Sequence, residues 1–297
     1  MWYNLTMEFC NCCPRHCLTD RVKTAGYCGE YGLKVARASL HFWEEPPISG
    51  TRGSGTVFFS GCNLKCVYCQ NYDISRGKGT LLTPRQLADV FKRLEDAGAH
   101  NINLVTASHF TDAITEAFDI YRPALPVVYN CGGYESVDNL KRLEGIVDIY
   151  LPDFKYADNA LAKKYSNAPD YAQICTLALS EMRRQQPQDI FDDGIMQKGM
   201  IIRHLVLPDA VDNTKRVLEW IKSNLSADTY ISVMGQYIPC GQAKEYPPLD
   251  RKLKPLEYKV AVSYAEKLGF VNAFVQDIES ADEAFVPDFD VSPVALK

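Results

Sequence analysis

Thr56-Val57-Phe58-Phe59-Ser60-Gly61-Cys62-Asn63-Leu64-Lys65-Cys66-Val67-Tyr68-Cys69-Gln70-Asn71 joins two signals in one short stretch. Its first five residues are an apolar run of β-branched and aromatic side chains, which reads as a buried strand. Three cysteines follow at once, spaced C-x3-C-x2-C. With 11 cysteines in 297 residues, that spacing arises by chance only about 0.015 times per chain, so composition alone does not account for it. Three thiolates at this spacing can grip three irons of a cubane cluster and leave the fourth iron without a protein ligand. An open coordination position is what a metal site needs to act on a substrate. The plainer alternatives are three reduced cysteines in a loop or a three-thiolate zinc site.

Outward from this stretch the chain alternates strand and helix. Thr83-Pro84 opens a helix, with Thr as N-cap and Pro at the first position, and Leu87, Val90, Phe91 and Leu94 share one face. Further strands are expected at 101–106, 127–130, 147–153, 200–207 and 229–234, with a last short one at 271–276. Helices are expected at 111–121, 137–143, up to about 186, 211–224 and 255–268. Six or seven such units imply a parallel sheet with helices outside it, because parallel strands need crossovers. The number favours a full or partial (β/α) barrel over a doubly wound sheet, with reactive residues at the carboxyl ends of the strands.

The whole-chain arithmetic agrees. Hydrophobic residues are 46% and charged residues 23%, which excludes a disordered or fibrous protein. A net charge of −5 gives no global basic field, so no nucleic-acid partner is expected. No apolar run reaches the length of a membrane helix, the first residues lack a signal-peptide pattern, and the expected compartment is the cytoplasm.

Eight of the 11 cysteines lie in the first 69 residues, and a reducing compartment turns such clustering toward metal rather than disulfides. Cys10-Asn11-Cys12-Cys13-Pro14-Arg15-His16-Cys17 and then Gly26-Tyr27-Cys28-Gly29 give C-x2-C-x3-C-x10-C. Cys10, Cys13, Cys17 and Cys28 would close a coordination sphere around zinc or an iron–sulfur cluster, structural or electron-transferring. Cys12 is left over, His16 could replace one cysteine, and Arg15 and Arg21 could offset the negative charge. Unligated thiols are the alternative. Residues 1–50 thus read as a small Cys-rich appendage, 51–278 as the barrel, and 279–297 as an acidic tail.

From about residue 51 the sequence resembles the radical S-adenosylmethionine (SAM) superfamily. Cys62, Cys66 and Cys69 match its cluster motif, and Tyr68 matches the aromatic residue before the third cysteine. The resemblance implies a partial (β/α)6 TIM-like barrel and a [4Fe–4S] cluster whose unique iron takes SAM. Reductive cleavage of SAM would release a 5′-deoxyadenosyl radical that abstracts hydrogen, fed by a one-electron reductant such as flavodoxin or ferredoxin. Val147-Asp148-Ile149-Tyr150-Leu151-Pro152-Asp153-Phe154-Lys155, Ile201-Ile202-Arg203-His204-Leu205-Val206-Leu207-Pro208 and Trp43-Glu44-Glu45-Pro46-Pro47 are similar to the activases of glycyl-radical enzymes, in particular the PflX-like branch. The implied partner is then a glycyl-radical enzyme. Modification of a small molecule or peptide is the alternative, as is a non-catalytic iron–sulfur or zinc protein.

The resemblance places Tyr68 near the adenine, and Asn71, Asn130, Asp153, Lys155 and Arg203 on the cofactor-binding side. A guanidinium inside an apolar strand is expensive unless paired, so Arg203 calls for an anion, either the SAM carboxylate or an internal Asp or Glu. His109 is a further candidate to line the site, whereas His204 should alternate to the helix side. One stretch departs from the superfamily. Where it has Gly-Gly-Glu-Pro, this chain has Val105-Thr106-Ala107-Ser108-His109-Phe110, and an ammonium would meet no carboxylate there.

Overall fold

The computed structural model describes residues 9–21 and 23–275; the acidic tail at 279–297 lies outside the described residues. All the strands and helices expected from residue 51 onward form. The strands are β2 (Ser54–Phe59), β4 (Ile102–Val105), β5 (Val127–Cys131), β6 (Ile149–Pro152), β8 (Ile195–Leu205), β9 (Tyr230–Met234) and β10 (Ala273–Val275), and they pair in parallel. The helices are α2 (Pro84–Asp96), α3 (Thr111–Ile120), α4 (Val137–Arg142), α5 (Asn159–Ser166), α6 (Tyr171–Gln185), α7 (Val211–Asn224) and α8 (Pro255–Leu268). At the start of α2, Thr83 Oγ1 accepts the Gln86 N–H and Gln86 Oε1 accepts the Thr83 N–H, a reciprocal cap that fixes where the helix begins. The single helical stretch expected up to Gln186 divides into α5 and α6, because Asn167 turns left-handed at φ 51°.

Three strands were not foreseen. β1 (Lys34–His41) runs antiparallel to β2, β3 (Thr80–Leu81) pairs with β1, and β7 (Ile190–Asp192) forms a hairpin with an early extension of β8. The sheet order is β10-β9-β8-β6-β5-β4-β2-β1-β3 with β7 on β8, an open sheet whose ends are β10 and β3. Residues 34–50, expected within the appendage, are therefore built into the sheet and its interior. Between 9 and 33 the described residues carry no helix or strand.

Strand residues alternate between two apolar environments, as the pleat requires. Val57, Phe59, Leu104, Tyr129, Tyr150 and Ile202 join the large core that includes Leu87, Phe91 and Leu218 of the helices. Val128, Ile149, Leu151 and Ile201 face the other way and surround Ile48. Ile48 belongs to α1 (Pro46–Ser49), which follows β1 and so enters at the amino end of β2. This short helix closes the floor of the barrel, leaving the carboxyl ends of the strands for the site. Among the described residues no helix is long and apolar enough to cross a membrane.

Candidate active site

Gly61 turns the chain out of β2 at φ 76°, and a Cβ there would stand 2.7 Å from Glu30 Cγ and 2.8 Å from the Cys28 carbonyl oxygen. Only glycine fits that approach. The loop that follows carries Cys62, Cys66 and Cys69. The Leu64 N–H donates to Cys62 Sγ at 3.4 Å, and the Asn71 N–H donates to Cys69 Sγ. Burial pushes the Cys62 thiol up to about 12 and the Cys69 thiol up to about 11, and nearby Cys66 adds to both shifts. The three sulfurs thus feel one another's charge, and a metal must displace their protons to bind. Lys65 eases ionisation of Cys62, as Lys155 does for Cys69.

The loop is tied down from below. Cys66 Sγ lies 3.0 Å from Ser166 Oγ, which lies 2.8 Å from the Tyr156 hydroxyl, which meets the Tyr68 hydroxyl at 2.6 Å. Tyr68 is buried, and its ring packs edge-on to Tyr237. Among the described residues no three His, Cys, Asp or Glu side chains close on a single-ion position. A cubane spreads its thiolates over separate irons, so its ligands need not meet at one point, and three thiols on one loop with two lysines beside them fit that group.

The interior-facing polar residues form one network. Asn130 lies two positions beyond Val128, Asp153 two beyond Leu151, and Arg203 two beyond Ile201, so all three face inward. Arg203 donates from Nε to Asp153 Oδ1 at 2.9 Å, from Nη1 to Glu44 Oε2 at 3.0 Å, and from Nη2 to Asn130 Oδ1 at 2.6 Å. Glu44 Oε1 accepts from Asn103 Nδ2 at 3.3 Å and from Asn130 Nδ2 at 3.0 Å. Lys155 Nζ donates to Asp153 Oδ2 at 2.6 Å. Charges therefore alternate from the floor upward: Glu44, Arg203, Asp153, Lys155. At Asp153, Lys155 and Arg203 burial works against the charge, yet the partners prevail. Arg203 and Lys155 outweigh it at Asp153 and hold that carboxyl below its ordinary value, while Asp153 holds Arg203 and Lys155 above theirs.

The structure thus brings Asn130, Asp153, Lys155 and Arg203 together and gives Arg203 internal carboxylate partners. Lys155 links this network to the cysteine loop. Asn71 contributes through its backbone, donating to Cys69 Sγ and accepting the Ser75 N–H at 3.0 Å. His109 is buried, with Nε2 2.7 Å from the Ser60 carbonyl oxygen, and burial drops it to about 3, so it is neutral. His204 faces the helices, bonded to the Phe154 carbonyl oxygen and Thr214 Oγ1. Cys10, Cys13, Cys17 and Cys28 gather apart from this network, against the outer side of the cysteine loop, where the Cys28 carbonyl oxygen accepts the Cys62 N–H at 3.2 Å.

Several members escaped the sequence reading. Asn103, a polar residue within the apolar run Ile102–Val105, was the signal available for the floor network. Ser166 and Tyr156 carry no sequence signal of their own. At the end of β4, Ser108 Oγ donates to Glu135 Oε1 at 2.6 Å, so a carboxylate from the loop after β5 does lie against the stretch that lacks one. Burial raises Glu135 to about 7, against the pull of its bonds from Ser108 and Tyr129.

Comparison with known proteins agrees with this geometry. Residues 56–181 match the family described as the radical SAM superfamily. Over 270 residues the chain is 32% identical to the uncharacterized protein MJ0674 of Methanocaldococcus jannaschii, covering 87% of this chain and 74% of that protein. In fold it is similar to SuiB of Streptococcus suis bound to S-adenosylmethionine, with a TM-score of 0.50, 10% identity, and 74% and 49% of the two chains covered. Methylornithine synthase (PylB) gives a TM-score of 0.49 at 15% identity, with 72% and 60% covered. The chain spans about half the length of SuiB, and at such identities the likeness concerns the fold alone. The three-cysteine loop at the end of β2, inside the matched segment, carries the remaining step: the chain belongs to the radical SAM superfamily.

Proposed function

We propose that the chain is a radical SAM enzyme in which Cys62, Cys66 and Cys69 hold a [4Fe–4S] cluster with one iron left for SAM. A cluster and SAM held there would supply radical chemistry for hydrogen abstraction after transfer of one electron. The observation that carries this reading is the grouping of three mutually interacting thiols on one loop at the carboxyl end of β2, the end where α/β barrels build their sites.

The chain's own residues then divide the work. Ser166, Tyr156 and Tyr68 fix the loop through their hydroxyl chain. Lys155 and Lys65 offset the negative charge that builds up when three thiols lose their protons. Arg203 is held by Asp153, Glu44 and Asn130, which leaves it further N–H donors in a fixed fork. The barrel floor is shut by Ile48, so water reaches the site from the carboxyl end.

For the use of this chemistry we infer activation of a partner protein by abstraction of a glycine Cα hydrogen. The similarity of the Val147–Lys155 and Ile201–Pro208 stretches to glycyl-radical activases supports it. A flavodoxin or ferredoxin would supply the electron; SAM would leave as methionine and 5′-deoxyadenosine. Anaerobic reconstitution with dithionite and SAM tests the general reading, and 5′-deoxyadenosine that forms in the native chain but not in C62A/C66A/C69A is the expected result. Equal formation in both would overturn it. A glycine-centred radical signal on adding a candidate partner protein tests the finer reading; turnover with peptides or small molecules and no such signal would replace it.

A further inference from the structure

The cysteine loop after β2 uses three of the chain's 11 cysteines. Five others gather between residues 10 and 28. The Cys10 side chain is hydrogen-bonded with those of Cys12 and Cys17. Cys17 Sγ and Cys28 Sγ lie 3.4 and 3.6 Å from the point where a Cβ on Gly26 would stand. Cys13 and Cys28 lie within electrostatic reach of Cys10. No helix or strand holds this segment among the described residues; short turns do. Cys10 N–H donates to the Thr19 carbonyl at 3.0 Å, Leu18 N–H to the Cys10 carbonyl at 3.2 Å, and Gly26 N–H to the Glu30 carbonyl at 3.1 Å.

Two observations beyond proximity point to a ligand. First, Cys10, Cys13 and Cys28 each accept a backbone N–H from the residue two places on, namely Cys12, Arg15 and Glu30. Cys62 and Cys69 accept from Leu64 and Asn71 in the same way. This bond aims each sulfur in the same local turn. Second, Arg21 lies near Cys10, Cys12 and Cys28, and its Nε and Nη2 are buried without a hydrogen-bond partner among the described residues. A cation with spare donors facing a group of thiols suits a site whose sulfurs carry negative charge. Cys12, bonded to Cys10, also reaches Asp112, 3.9 Å from Oδ2, and its neighbour Cys13 takes the place in the ligand spacing.

We propose that Cys10, Cys13, Cys17 and Cys28 form a second metal centre, a closed four-thiolate iron–sulfur site, because among the described residues no three such side chains close on a single-ion position and a cubane spreads its thiolates over separate irons. Its thiol protons leave to solvent as the metal enters. Four protein ligands leave no open position, so the centre does not bind substrate. Its place decides what it can do. The Cys28 carbonyl oxygen accepts both the Cys62 N–H at 3.2 Å and Lys65 Nζ at 3.5 Å, and Arg15 donates to the carbonyl oxygens of Asn63 and Asn167, each at 2.7 Å. An iron–sulfur cluster there would stand beside the cysteine loop as an electron carrier.

The test begins with the C62A/C66A/C69A chain, purified and reconstituted without oxygen, so the result does not depend on the first cluster. Zinc, iron and sulfide are measured per chain. About four irons with matching sulfide are expected to remain, and about one zinc in their place would overturn the iron–sulfur assignment. Adding Cys13→Ser and Cys28→Ser should lower that iron at least tenfold, while Cys12→Ser should leave it unchanged. A chain holding no iron, or a Cys13→Ser/Cys28→Ser chain that keeps its iron, overturns the proposal. Should those substitutions prevent folding, a mercurial titration of C62A/C66A/C69A replaces them. Metal released in step with thiol modification supports the site, and none released overturns it.

Discussion

Glu44→Ala should destabilise the barrel by about 3 kcal/mol. Glu44 is 8% exposed and its partner Arg203 15%, so the pair is little screened by solvent. Removing the carboxylate strands Arg203 Nη1 and the side-chain amides of Asn103 and Asn130 together. Taking one partner from a buried ion pair costs about 3–5 kcal/mol. The low end applies, because Arg203 keeps Asp153 at 2.9 Å and Asn130 at 2.6 Å. At about 2 °C per kcal/mol for a chain of this size, Tm should fall by about 6 °C. Glu44→Gln retains an acceptor and should cost about half as much. Calorimetry at matched metal content measures the shift, since bound metal would stabilise either variant. A double-mutant cycle with Arg203→Met should return a coupling of at least about 1 kcal/mol. A Glu44→Ala Tm within about 1 °C of the native chain, or zero coupling, would refute the reasoning.

Two further predictions concern the packing around the strands. Burial lowers His204 from 6.5 to about 4, so the unfolded chain takes up this proton first as pH falls. Its contribution, about 3 kcal/mol for a shift of this size, is whole above pH 6.5 and lost as pH drops toward 4. His204→Gln should flatten the stability profile across that window, and an unchanged slope would contradict this. Gly133→Ala should lower the denaturant midpoint sharply, because at φ 77° its Cβ would stand 2.2 Å from the Asp153 carbonyl oxygen. Gly145→Ala, at φ 80° with nothing within 4 Å, should cost only about 1 kcal/mol; equal effects would exclude the steric cause.

The alternation of strand and helix was legible because each parallel strand is apolar on both faces and each crossover helix has its own start signal, as at Thr83-Pro84. β1 was not, since its sequence Lys34–His41 mixes charge with apolar residues and sits among cysteines that suggest an irregular segment. Its role shows only in the pairing with β2, which carries Pro46–Ser49 beneath the barrel. Arg203 announced itself as a charge in an apolar run, but its partners come from three other elements, and Glu44 lies 159 residues away. No local pattern encodes such a meeting. The cysteine loop stands at the other extreme: its chemistry is written in spacing within eight residues, from Cys62 to Cys69.

The most direct test of the central claim is the electron paramagnetic resonance spectrum of the reduced, reconstituted C10S/C13S/C17S/C28S chain, recorded with and without SAM. In that background the β2 loop cysteines are the intended iron ligands. The account predicts a [4Fe–4S] signal that shifts when SAM is added, because one iron has no protein ligand. A cluster signal indifferent to SAM would contradict it.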